Sequence, residues 1–170
     1  YYSSELIHQA IKYAYDNGVL LITSAGNEDT NARAYPAAYE EVISVSATTT
    51  GDGLASFSNY GDYIELAAPG VDIYSTVWNN GYVSWSGTSM AAPHVAGVAA
   101  LIWSQFPTKS RDWVRLQLRY TADDIGSPGF DTKFGYGRVN AKRAVEEKPP
   151  THDLTVYSWT TPPYVEPGSS

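Results

Sequence analysis

The sequence contains no cysteine. That excludes a disulfide framework and any thiolate-bound metal. Positive charge is scarce: 11 Lys and Arg stand against 18 Asp and Glu, for a net charge of −7 and a pI near 4.8. Such a balance repels phosphate backbones and anionic bilayers, so neither nucleic acid nor membrane is expected as a partner. No apolar run approaches the roughly 18 residues of a membrane span. No internal repeat is present. An initiating methionine and a signal-peptide pattern are also missing. A chain opening at Tyr1 is expected to be a processed or truncated piece, with any targeting information upstream.

What remains is the composition of a globular protein. The length of 170 residues suits about one domain, and 43% hydrophobic with 17% charged residues permits a real core. Residues 3–18 predict a helix capped by Ser3 or Ser4. Its apolar stripe is Leu6, Ile7, Ala10, Ile11 and Ala14, and Gly18 stops it. "VLLITS" (19–24) is a continuous apolar run, the pattern of a strand buried on both faces. "VISVSAT" (42–48) is a second strand, and "YIELAAPG" and "DIYSTV" are short strands around the Pro69-Gly70 break. Asn80-Gly81 is a hairpin signal. "TSMAAPHVAGVAALIWSQF" predicts a helix apolar on most faces and therefore buried. Two further helices start at Ser110 and Asn140. Composition changes near residues 148–151. Residues 148–170 are expected to be a Pro-rich linker and the first strand of a β domain cut short.

Helices alternating with buried strands predict an α/β domain with a largely parallel sheet. Sites in such sheets gather at the carboxyl ends of strands, so "SAGN" (24–27) is the first place to look. Asn27 could donate its amide to an oxyanion or close an Asx-turn. Ser89 in Gly87-Thr88-Ser89 stands at a predicted helix start, where unpartnered N–H groups and the helix dipole favour negative charge. An acyl-transfer nucleophile needs that setting, because its tetrahedral intermediate carries an oxyanion. A plain helix cap needs it as well, and on a bare Gly-Thr-Ser both readings stand. Gly87 lets a substrate backbone approach closely.

The blocks "SAGN", "YPAAYEEVISVSAT", "ASFSNYGDYIELAAPG" and "GTSMAAPHVAGVAAL" occur in this order. Together they resemble the subtilisin-like serine proteases, the thermitase-type members most closely, from about Ser4 to Glu146. The resemblance implies a three-layer α/β/α fold, incomplete here at its N-terminus, with residues 1–147 the C-terminal portion of the catalytic domain. It implies that Ser89 is the nucleophile and that Asn27 and the Ser89 N–H form the oxyanion hole. It implies a substrate cleft walled by Ser24, Ala25 and Gly26, with Glu28 at the rim, Ala34 near the base, and Gly87 and Thr88 beside the nucleophile. No cofactor serves catalysis in such a protein. A structural calcium or monovalent cation would sit on the backbone carbonyls of Ala37, Tyr39 and Val42, with Glu65 nearby. Localisation would be extracellular and the substrate a polypeptide.

Serine needs a base to take its proton. Of the three histidines, His94 follows Ser89 by five residues. At about 100° per residue the two side chains lie roughly 140° apart around a helix. His94 is therefore read as structural, His8 as a boundary residue, and His152 falls in the tail. None has the His-Gly-Thr setting of the family's base, and no Asp has its Asp-Thr/Ser-Gly setting. Both segments lie N-terminal to this stretch in the family. The expected partner is accordingly an N-terminal portion carrying Asp and His, and this chain alone is expected to be inactive. A second reading is a non-catalytic binding or regulatory module of the same fold. An α/β-hydrolase esterase requires Gly-x-Ser-x-Gly, and Ala91 stands where the last Gly would be.

Overall fold

The structure is a computed structural model that describes residues 2–147. The proposed linker and strand at 148–170, with His152, lie outside the described residues. Helix α1 (Glu5–Asp16) leads into β1 (Leu21–Ser24), then β2 (Val42–Thr48) and β3 (Leu66–Pro69). These three form one parallel sheet in the order β1-β2-β3, with Leu21 opposite Val42 and Val45 opposite Leu66. Strands β4 (Ile73–Val77) and β5 (Gly81–Trp85) pair antiparallel as a separate hairpin. Helices α2 (Thr88–Gln105), α3 (Arg111–Tyr120) and α4 (Ala141–Glu146) follow.

Strand β2 is central and every residue in it is buried. Its alternation sends Ile43, Val45 and Ala47 into one cluster with Ala91, Val95, Val98, Ala99 and Ile102 of α2. Val114 and Leu118 of α3 and Ala144 of α4 close the same core. Helix α2 thus lies across all three parallel strands, and its first turn is fixed relative to their carboxyl ends. The caps foreseen for α3 and α4 are made: Ser110 Oγ accepts from Trp113 N–H at 3.3 Å, and Asn140 Oδ1 from Arg143 N–H at 3.0 Å.

Four expectations are corrected. Strand β1 is half-buried rather than buried on both faces, because it is an edge strand among the described residues. Helix α2 buries one face only, and Ala96, Gly97, Ala100 and Leu101 are exposed. The apolar stripe of α1 meets no core: Leu6 is 79% and Ile7 52% exposed, and no α1 residue is buried. The β4–β5 turn is centred one residue early, on Asn79 and Asn80. Both adopt positive φ there, and Gly81 starts β5.

Candidate active site

Strand β1 ends at Ser24, and the loop that follows meets the start of α2. Gly70, just past β3, accepts from Gly87 N–H at 2.8 Å. A side chain on Gly70 would put its Cβ 2.6 Å from Ala47 Cβ and 2.9 Å from Gly87 O, so only glycine lets the two segments lie this close. The entry to α2 is therefore anchored to the sheet beside the β1 loop.

Thr88 joins the loop to the helix. Its N–H donates to Asn27 Oδ1 at 2.9 Å, its hydroxyl donates to the same oxygen at 2.9 Å, and Gly26 N–H donates to that hydroxyl at 3.2 Å. A backbone N–H can only donate, so the amide atom facing Thr88 must be the oxygen. Asn27 Nδ2 is then left without a hydrogen-bond partner among the described residues. A Cβ on Gly87 would lie 3.8 Å from both amide heavy atoms and would cover them. Residues 61 positions apart in sequence thus meet where Ser89 stands exposed in the first turn of α2. Neither Ser89 N–H, Ser89 Oγ nor Asn27 Nδ2 meets a hydrogen-bond partner among the described residues. Two donors and a hydroxyl are thus left unengaged around the entry to α2.

The other residues expected around a cleft are distributed unevenly. Gly26 and Ser24 are half-buried and Glu28 is exposed, so the loop presents a surface there. Ala25 and Thr88 are fully buried, and Ala34 and Gly87 nearly so. The Thr88 side chain is consequently a brace behind the surface. Gly26 has φ +107°, and a Cβ there would lie 2.2 Å from Asn59 Nδ2. Asn59 had not been singled out; only its block, "ASFSNYG", stood out in the sequence. It is 1% exposed and threaded into the back of the loop. A buried Asn in a loop leaves no periodicity to detect.

His94 donates Nδ1–H to Met90 O at 2.8 Å within α2. His8 bonds Glu41 at 3.1 Å and stacks on Tyr39 with ring centroids 4.0 Å apart. Neither histidine bonds Ser89.

A family model described as "Subtilase family" matches residues 2–137. The chain belongs to the subtilase family. Its curated subtilase relatives include a "Thermophilic serine proteinase" from Bacillus sp. (strain AK1), 46% identical over 139 residues, covering 82% of this chain and 34% of that protein. "Thermitase" from Thermoactinomyces vulgaris is 45% identical over 140 residues, covering 82% of this chain and 49% of that protein. The chain thus spans between about a third and a half of these relatives. Among solved structures, a lanthipeptide protease superposes with TM-score 0.77 at 31% identity, over 81% of this chain and 53% of that one. A psychrophilic subtilisin-like protease from Pseudoalteromonas sp. AS-11 superposes with TM-score 0.79 at 22% identity, over 85% and 67%. The α/β fold with a largely parallel sheet is therefore subtilisin-like.

Of the carbonyls of Ala37, Tyr39 and Val42, expected to bear a cation, two already accept a hydrogen bond. Tyr39 O already accepts from Val42 N–H at 3.1 Å. Val42 O accepts from the Arg115 guanidinium at 3.3 Å, and that positive charge opposes a second cation. Glu65 is engaged by Arg115 at 2.5 Å and by Arg119 at 2.7 Å. Burial alone would raise the Glu65 carboxyl, but the two guanidinium groups outweigh it and hold the group below the usual carboxylate range. No cluster of three or more His, Asp or Glu suited to a metal occurs among the described residues.

Proposed function

We propose that this chain is the nucleophile-bearing part of an extracellular serine endopeptidase that cleaves polypeptides through an acyl-enzyme on Ser89. The observation that carries this reading is that Asn27 is tied to Thr88, the residue before Ser89, while Asn27 Nδ2 and Ser89 N–H stay unengaged among the described residues at the start of an 18-residue helix. Ser89 Oγ attacks the scissile carbonyl and its proton passes to a base. The carbonyl oxygen becomes an oxyanion held by the two donors and the helix N-terminus. The intermediate collapses, expelling the amine with a proton from that base and leaving an acyl ester that water hydrolyses. Subtilisin is the general worked example for these roles, which are transferred here by family membership.

The base is assigned to an N-terminal portion carrying Asp and His. Supporting this, the outer edge of β1 is unpaired among the described residues, and Leu6 and Ile7 of α1 and Leu101 of α2 are exposed. An open strand edge beside exposed apolar side chains is a surface that another segment covers. Residues 1–147 would then be the C-terminal portion of the catalytic domain.

The test is casein or peptide hydrolysis. The chain alone is expected to be inactive, and joined to the N-terminal portion it should turn over and be stopped by a serine-directed inhibitor. Turnover by the chain alone that is lost on Ser89→Ala would refute the divided site. Activity of the joined protein that is indifferent to Ser89→Ala would refute the nucleophile.

A further inference from the structure

We infer that Asn59 is a positioning residue for the Asn27 donor, an inference that rests on the proposed hydrolysis at Ser89. Asn59 makes no bond to Asn27 itself. It brackets it. On the upstream side, Asn59 Nδ2 donates to Ala25 O at 3.1 Å and Asn59 N–H donates to Gly26 O at 3.0 Å. Downstream, Asn59 Oδ1 accepts from Glu28 N–H at 2.9 Å and Thr30 N–H at 3.3 Å. The second Nδ2 hydrogen goes to Glu28 Oε2 at 2.8 Å, and the same oxygen accepts from Asn27 N–H at 2.9 Å. Two donors and two acceptor positions are all that a side-chain amide has, and all four are used.

The consequence for Asn27 follows from counting its groups. Its N–H is held by Glu28, which Asn59 holds in turn. Its Oδ1 is held by Thr88. Of its donors only Nδ2 remains, so the direction of that donor is set by the Thr88 bonds to Oδ1 and by the loop backbone on either side, which Asn59 fixes. Asn59 is 1% exposed, so water does not compete for these bonds, and a fully satisfied buried network specifies one geometry. Gly26 admits the arrangement: a side chain there would occupy the place of Asn59 Nδ2. An oxyanion donor acts only at the position where charge develops, and a displacement near 1 Å at a reacting centre costs on the order of a hundredfold in rate. A serine hydroxyl has one donor and a shorter reach, so it cannot replace all four side-chain bonds, and an apolar residue replaces none.

A double-mutant cycle in the protease joined to its N-terminal portion tests this. Asn59→Ser should lower kcat at least about tenfold with KM changed less than about threefold. In an Asn27→Ala background the same substitution should change kcat less than about twofold, because the donor it positions is gone. Equal losses in both backgrounds would overturn the inference and mark Asn59 as merely structural. If Asn27→Ala alone leaves kcat unchanged, the donor role of Asn27 fails, which is a separate result. Should Asn59→Ser not fold, the isosteric Asn59→Asp enters the same cycle. Hydrogen exchange on the unmutated protein gives an independent reading. The Glu28 and Thr30 amides, on an otherwise exposed loop, should be protected at least about a hundredfold over an unstructured peptide. Unprotected amides there would also overturn it.

Discussion

Replacing Glu65 by Gln removes one negative charge from between two arginines and should be the most damaging isosteric change in the core. Glu65 is 6% and Arg115 5% exposed. Its Oε1 accepts from Arg115 Nε at 2.8 Å and Arg119 Nε at 2.7 Å, and its Oε2 from Arg115 Nη2 at 2.5 Å. With charge centres about 4 Å apart and an effective dielectric of about 20, each attraction is worth roughly 4 kcal/mol. Desolvation opposes this by several kcal/mol per ion, so the intact triad contributes little net stability. Glu65→Gln is different, because Arg115 stays buried and loses the negative charge of the carboxylate it contacts. Breaking a buried pair in this way costs about 3–5 kcal/mol, a large part of a typical domain's stability of roughly 5–15 kcal/mol.

The pH dependence has a definite sign. The folded-state pKa of Glu65 is lowered, so its contribution is present above the unfolded value of about 4.3 and is lost as pH falls through the folded one. Urea denaturation of the wild type and Glu65→Gln should therefore differ by about 3–5 kcal/mol at pH 7. The gap should persist down to about pH 4.3 and close progressively below it. Equal midpoints at pH 7, or a gap undiminished in strong acid, would refute this account of the triad.

Two further outcomes follow from local geometry. Gly26→Ala places a Cβ 2.2 Å from Asn59 Nδ2 at a φ of +107°, and strain plus overpacking should cost about 2–5 kcal/mol together with peptidase activity; an unchanged melting curve would contradict it. Ser110→Ala removes the acceptor for Trp113 N–H and should cost about 1 kcal/mol, measured by denaturation, with no effect on turnover.

Much of this architecture is legible in sequence because it rests on local rules. Ser110 and Asn140 mark helix starts by capping, and the alternation of 42–48 marks a strand whose two faces have different neighbours. The order of four blocks carries the family resemblance, because those blocks keep their spacing along the chain. Exposure was misjudged where it depends on neighbours: the same apolar letters in 19–24 describe a central strand or an edge strand. The run 88–105 is apolar nearly all round, yet only one side of it meets the sheet.

The sequence by itself determined that a Gly-Thr-Ser opens a helix, that Asn27 follows a strand, and that no histidine of this chain stands in the setting of a base. The first two depend on local residue patterns along the chain, and the last on the motif that the family resemblance implies. Only the tertiary structure decided which atom of the Asn27 amide is spent on Thr88 and which is left over. The tertiary structure also decided that Thr88 lies behind the surface, that Arg115 meets Val42 O, and that Asn59 reaches the back of the loop from 32 residues away. The physical reason is the same in each case. A hydrogen bond is set by which donors and acceptors close packing brings within about 3 Å, and those partners are remote in sequence.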